Sequence, residues 1–184
     1  VILATATMTL TLSVTVHRIS TGPFDRLFRE THGAHVWFTA DPGVDLSQIA
    51  TADGVTESAG PFPIAGVGMA GRDSNANDPS FSRDVFGLPA TLPATGQPLI
   101  RDGRWLAAPD EIVLEPGLAR FSGLRVGDQF KLVGPDGPVS LTIVGLADYV
   151  ATYHVKGDGV SLSPFAFVLP ETLAQLAPDR TTWR

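Results

Sequence analysis

The sequence predicts an α+β fold in which short strands alternate with short helices and β structure dominates. Three observations carry this. Glu111–Leu114 (EIVL) is a strand-like run, followed by a helix over Leu118–Ser122 that Gly123 stops. Phe130–Val133 and Val139–Val144 are rich in β-branched and aromatic residues, and Gly134-Pro135-Asp136-Gly137-Pro138 joins them as a five-residue hairpin connection. A strand followed by a short helix over Ala34–Ala50 is loosely echoed at Phe165–Ala177.

Taken in order, Val1–Val16 carries no charge. From Ala4 apolar residues alternate with Thr5, Thr7, Thr9, Thr11, Ser13 and Thr15, a period-two pattern that reads as strand. An uncharged run ending in His17-Arg18 also suits the outer end of a membrane helix, whose threonines bond back to carbonyls one turn earlier. We take it as such an end, although the run is shorter than the ~20 residues that span a bilayer. With no basic residues in front, it is not a signal peptide. The chain opens without Met and closes on Thr181-Thr182-Trp183-Arg184, which resembles the start of a strand, so part of a longer protein is expected.

Gly22-Pro23 breaks the run, and Phe24, Leu27 and Phe28 at i, i+3 and i+4 give a short amphipathic helix that Gly33 ends. Residues 1–33 are thus expected as an N-terminal helical segment. Ala34–Ala40 (AHVWFTA) reads as strand, and Asp45 is placed to cap a helix over Leu46–Ala50. Val55–Gly71 is extended but broken by Pro61, Pro63, Gly66 and Gly68. Arg72–Ser82 is a polar loop, and Asp84–Gln97, with Pro89 and Pro93, reads as irregular extended chain. After the hairpin, Pro164–Leu169 is a strand and Thr172–Ala177 a helix opened by Pro170-Glu171.

Composition excludes several functions. A net charge of −6, with eleven Arg and two Lys (Lys131 and Lys156) scattered along the chain, offers no basic run to neutralise phosphates, so no nucleic-acid partner is expected. Without cysteine there is neither a disulfide framework nor a thiolate metal site. His32 and His35 lack a nearby third ligand, and Asp110-Glu111 and Asp148-Tyr149 read as solvated strand ends. Gly66-x-Gly68-x-x-Gly71 has dinucleotide-fingerprint spacing but runs into a polar loop instead of opening a helix. There is no Gly-x-Ser-x-Gly elbow and no phosphate loop. No catalytic, cofactor-binding or metal residue is expected, and the chain is not read as an enzyme. Of the aromatics Phe81, Phe86, Trp105, Tyr149, Tyr153 and Phe165, most are assigned to the core. Tyr149, Tyr153, His154 and Phe81 are the candidates for exposed partner contact.

The ordered set Gly103-Arg104, Glu111–Leu114, Leu118-Ala119, Gly123–Asp128 (GLRVGD) and Val144-Gly145 resembles the extracytoplasmic core domain of FtsX-like ABC-transporter permeases. Flanking features are similar too: the membrane-helix end, the strand Gly33–Phe38 and the Val168–Pro170 strand end before a helix. The resemblance implies a MacB-like periplasmic core on the extracytoplasmic face of the cell membrane. A split β-α-β base layer (34–71 and 164–184, incomplete at its C-terminus) would carry an inserted β-rich lobe (84–160). It also implies a cytoplasmic ATPase subunit and a second permease copy or homologue as partners, an extracytoplasmic protein, lipid or peptide as substrate, and no cofactor. The implied role is coupling of ATP-driven motion to export or mechanical transmission. A secreted module that binds a peptide, lipid or glycan is the alternative.

Overall fold

The computed structural model describes residues 23–37, 39–41, 44–70, 82–150, 153–156, 159–162, 164–178 and 182–183. The expected membrane-helix end Val1–Val16 and, of the expected loop Arg72–Ser82, all but Ser82 lie outside them, Phe81 included. Three helices are described: α1 (Pro23–Glu30), α2 (Pro116–Ser122) and α3 (Pro170–Leu176). The strands are β1 (Pro63–Met69), β2 (Ser82–Gly87), β3 (Leu99–Gly103), β4 (Glu111–Leu114), β5 (Gln129–Gly134), β6 (Gly137–Asp148), β7 (Tyr153–Lys156), β8 (Gly159–Leu162), β9 (Phe165–Val168) and β10 (Thr182–Trp183). Among the described residues no helix is long and apolar enough to cross a membrane.

Six strands close into a barrel. The pairing runs β1-β2 antiparallel, β2-β9 parallel, β9-β4 antiparallel, β4-β6 parallel, β6-β5 antiparallel and β5-β1 antiparallel, which returns to the start. The 12-residue β6 is long enough to serve two neighbours on one edge, β5 along Gly137–Thr142 and β3 along Gly145–Asp148. β10 adds to the end of β1, and β7-β8 form a separate hairpin.

Period-two alternation sends side chains to two cores. Val85, Ile112, Leu114, Leu132, Leu141, Ile143, Ala166 and Val168 fill the barrel, closed in by Leu118 of α2 and by Leu173 and Leu176 of α3. Their neighbours Phe86, Val113, Val144, Phe165 and Phe167 point outward into a second, aromatic cluster. β4 and β9 are therefore buried on both faces, which is why Ile112–Leu114 and FAFV read as continuous apolar runs with no polar alternation. Each is followed by a helix with proline in its first turn, Pro116 after β4 and Pro170 after β9. Because β4 and β9 are antiparallel, these helices leave opposite ends of the barrel.

The stretch from Glu111 to Val144 folds largely as its local signals indicate. Both Glu115 carboxylate oxygens cap α2, accepting from the Gly117 and Leu118 N–H groups at 2.6 Å each. Gly123, at φ 68°, ends it with the paired bonds of a Schellman motif (Gly123 N–H to Arg120 O, Leu124 N–H to Ala119 O). Gly127 takes φ 96° at the turn into β5. The hairpin is tighter than expected, since Gly134 pairs with Gly137 and leaves only Pro135-Asp136 in the loop.

Other expectations are corrected. The Ala34–Ala40 strand does not form among its described residues, apart from an isolated bridge at Ala40. Trp37 is drawn onto the aromatic cluster, and that tertiary anchor outweighs the segment's β propensity. In place of a helix, Leu46–Ala50 forms successive turns, with Ile49 N–H on Leu46 O at 3.1 Å and Ala52 N–H on Ile49 O at 3.2 Å. Five residues are too few to offset helix nucleation. Asp84–Gly87 is not irregular: it belongs to β2, hydrogen-bonded on both sides.

Candidate functional site

Five residues of the pattern, Gly103, Arg104, Glu111, Val144 and Gly145, meet at one joint. β3 approaches β6 so closely at Gly103 and Gly145 that side chains are excluded. A Cβ on Gly103 would collide with the Val144 carbonyl oxygen, and one on Gly145 with the Arg104 carbonyl oxygen. Arg104 N–H donates to that same Val144 oxygen at 2.9 Å. This approach aims the Arg104 guanidinium at the buried Glu111, to which it donates through both terminal nitrogens. Ala107 and Ala108 N–H groups complete the carboxylate's shell at 2.7 and 3.2 Å. The Arg104 hydrogen bonds hold the Glu111 pKa down at about 2, with help from the two backbone donors and against the opposing effect of burial. Asp148, also weighed for acid/base work, pairs with Arg101 across β3 and β6 at 2.6 Å. Both carboxylates fasten strands together.

A second joint attaches α1 to the barrel. The helix ends in a Schellman motif, with Gly33 N–H on Phe28 O at 2.7 Å and His32 N–H on Arg29 O at 3.3 Å. Here His32, not Gly33, takes the left-handed conformation, at φ 47°. Glycine is required at 33 because a Cβ there would strike the Phe28 ring. The two carbonyls just past the helix then accept three bonds from the loop before β3. Gln97 N–H donates to Thr31 O, and both Gly96 N–H and the Thr95 hydroxyl donate to His32 O, each at 2.7 Å. Trp37 lies over Gly96 so closely that any Cβ at 96 would hit its ring. We call this the clasp.

Beside the clasp opens a cleft of about 560 Å3, between the Gly33–Trp37 segment and the 46–62 arm. Trp37, Phe62, Phe86 and Tyr149 contribute aromatic surface to it, and Leu46, Ile49 and Val55 aliphatic surface. Tyr149 stands edge-on to Trp37 and Phe167 at ring distances of 5.7 and 5.2 Å.

Tyr149 is 3% exposed and belongs to the aromatic cluster, a correction to its assignment as a surface contact. The strand alternation that places Ala147 in that cluster places Tyr149 there too. Tyr153 and His154 lie on β7, in register with Leu162 and Ser161 of β8. Phe81 is outside the described residues. Phe86, Trp105 and Phe165, assigned to the core, are found in the aromatic cluster. His32 and His35 both line the cleft, where the His35 ring packs edge-on to Phe28 at 5.2 Å. Among the described residues no three His, Asp or Glu side chains are grouped as metal ligands. Sequence reasoning missed Trp37, Phe62 and Thr95 as lining, since only the folded chain brings residues this far apart to one cleft.

Neither the family models nor the curated proteins yield a match to this chain. Among solved structures, the fold is similar to the periplasmic region of MacB from Actinobacillus actinomycetemcomitans, with a TM-score of 0.43 and 13% identity, covering 82% of this chain and 66% of that one.

Proposed function

We propose that the chain is the extracytoplasmic domain of an FtsX-like ABC-transporter permease, does no chemistry of its own, and passes motion from a membrane-side helix to a rigid barrel. The observation that carries this reading is the interlock at Gly103-Arg104, Glu111 and Val144-Gly145. Residues that resemble the family pattern separately in sequence depend on one another in space, each glycine permitting the approach that places Arg104 on Glu111.

The clasp supplies the mechanical step. Because the carbonyls past α1 are bonded to the barrel, a shift of the helix is delivered to the barrel as a rigid-body movement. In this reading a cytoplasmic ATPase subunit drives the motion, a second permease copy stands alongside, and the barrel presents its surface to an extracytoplasmic substrate or partner. The parent gene tests it. Three further hydrophobic spans downstream of Arg184, and co-purification of the whole membrane protein with an ATP-hydrolysing subunit, are the expected results. A parent protein without those spans overturns the reading. The cleft favours a second reading, a secreted binding module, and a parent that consists of a signal peptide and this domain alone would establish it.

A further inference from the structure

We infer that the cleft beside the clasp is a binding site for a small amphiphilic cation, an apolar or aromatic body that carries one positive charge. Its volume of about 560 Å3 lies within the ~300–1,000 Å3 range of small-molecule sites. Trp37 and Phe62, both partly exposed, give it aromatic surface that accepts an apolar body and a cation, with the buried Phe86 and Tyr149 behind them.

The sign of the ligand's charge follows from the chain that walls the cleft. From Glu30 to Gly71, a stretch bounded by Arg29 and Arg72, the sequence holds five carboxylates (Glu30, Asp41, Asp45, Asp53 and Glu57), the histidines His32 and His35, and neither lysine nor arginine. All five are exposed, and none forms an ion pair among the described residues. Glu57 is itself part of the lining. A concave apolar site inside a field of one sign gathers molecules of the opposite sign and turns away those of the same sign. Shape alone admits either charge, whereas the field selects the cation.

The inference rests on the cleft and not on the permease reading, so either can fail without the other. It adds a consequence for the joint, because His32, Gly33 and Thr95 line the cleft and also form or flank the clasp. A bound molecule therefore presses on the attachment of α1.

Calorimetric titration of the 184-residue chain with tetraphenylphosphonium and with tetraphenylborate, matched in size and opposite in charge, tests the site. The cation is expected to bind saturably at one site, about tenfold or more tighter than the anion, with affinity that falls as salt rises. Glu57→Gln is expected to weaken the cation about threefold. Ala50→Trp, which fills the cleft from an exposed position, should abolish binding while the melting temperature is retained. Equal affinity for the two ions, cation binding that survives Ala50→Trp, or no cation binding to the folded chain would each overturn the inference.

Discussion

Glu111 sits where burial and charge pull in opposite directions, and the Arg104 hydrogen bonds win. Its folded pKa of about 2 lies below the ordinary value of 4.5, so its contribution is fully present above pH 4.5 and is lost as pH falls toward 2. Allowing for solvent around the half-exposed Arg104, the contribution is about 1–2 kcal/mol. Thermal melts at pH 7 and pH 3 check this: the wild type should lose more stability over that interval than Glu111→Gln, which starts lower at pH 7. The glycines of the joint give a second test. Gly145→Ala drives a methyl into the Arg104 carbonyl and is expected to cost about 1–3 kcal/mol. Gly134→Ala meets nothing closer than 3.6 Å and should be neutral or slightly stabilising. Denaturant midpoints of the two variants, read side by side, separate a steric requirement for glycine from mere preference.

At the scale of single elements, α1 depends on its attachment more than on its own length, since eight residues form a marginal helix in water. Gly96→Ala both strains a left-handed position (φ 65°) and strikes Trp37. The Gln97 amide should then exchange about tenfold faster or more, while amides of β4 and β6 keep their protection. Native-state hydrogen exchange reads both at once, and uniform acceleration would show instead that the clasp is not a local joint. The elements legible in the sequence are those whose boundaries are written locally. Glu115-Pro116, Gly123 and Gly127 fix α2 and the entry to β5 regardless of what packs on them. Ala34–Ala40 carries no such local signal, because its conformation is decided by where Trp37 finds its partners, and those partners lie far along the chain. The prolines after Gly87 make the whole stretch look irregular in the sequence, although Asp84, Val85 and Phe86 pair on both edges of β2.

For the whole molecule, ring closure makes one cooperative unit out of segments that the sequence suggests as a base layer and a lobe. Leu173, fully buried in α3, touches the interior that all six ring strands share. Leu173→Ala is expected to cost about 2–5 kcal/mol. The melt should still be a single transition, coincident by far-ultraviolet circular dichroism and by tryptophan fluorescence. Two separated transitions would mean that the segments unfold independently. The interlock was legible as a pattern of residue types, because its glycines and its Arg–Glu pair stand at recognisable spacings. The cleft was not, since its lining gathers from residues 32–37, 46–62, 86, 95 and 149, and no periodicity links them.

The clasp is made on the helix side entirely from backbone. Its three donors reach only the carbonyl oxygens of Thr31 and His32, so the coupling is indifferent to which side chains α1 displays on its outer face. Any helix whose last turn delivers two carbonyls at that spot is held as firmly, which leaves Asp25, Arg26, Arg29 and Glu30 at liberty to suit whatever surrounds them. The constraint falls instead on Thr95 and Gly96, two small residues in a loop, which set how the barrel answers when the helix moves.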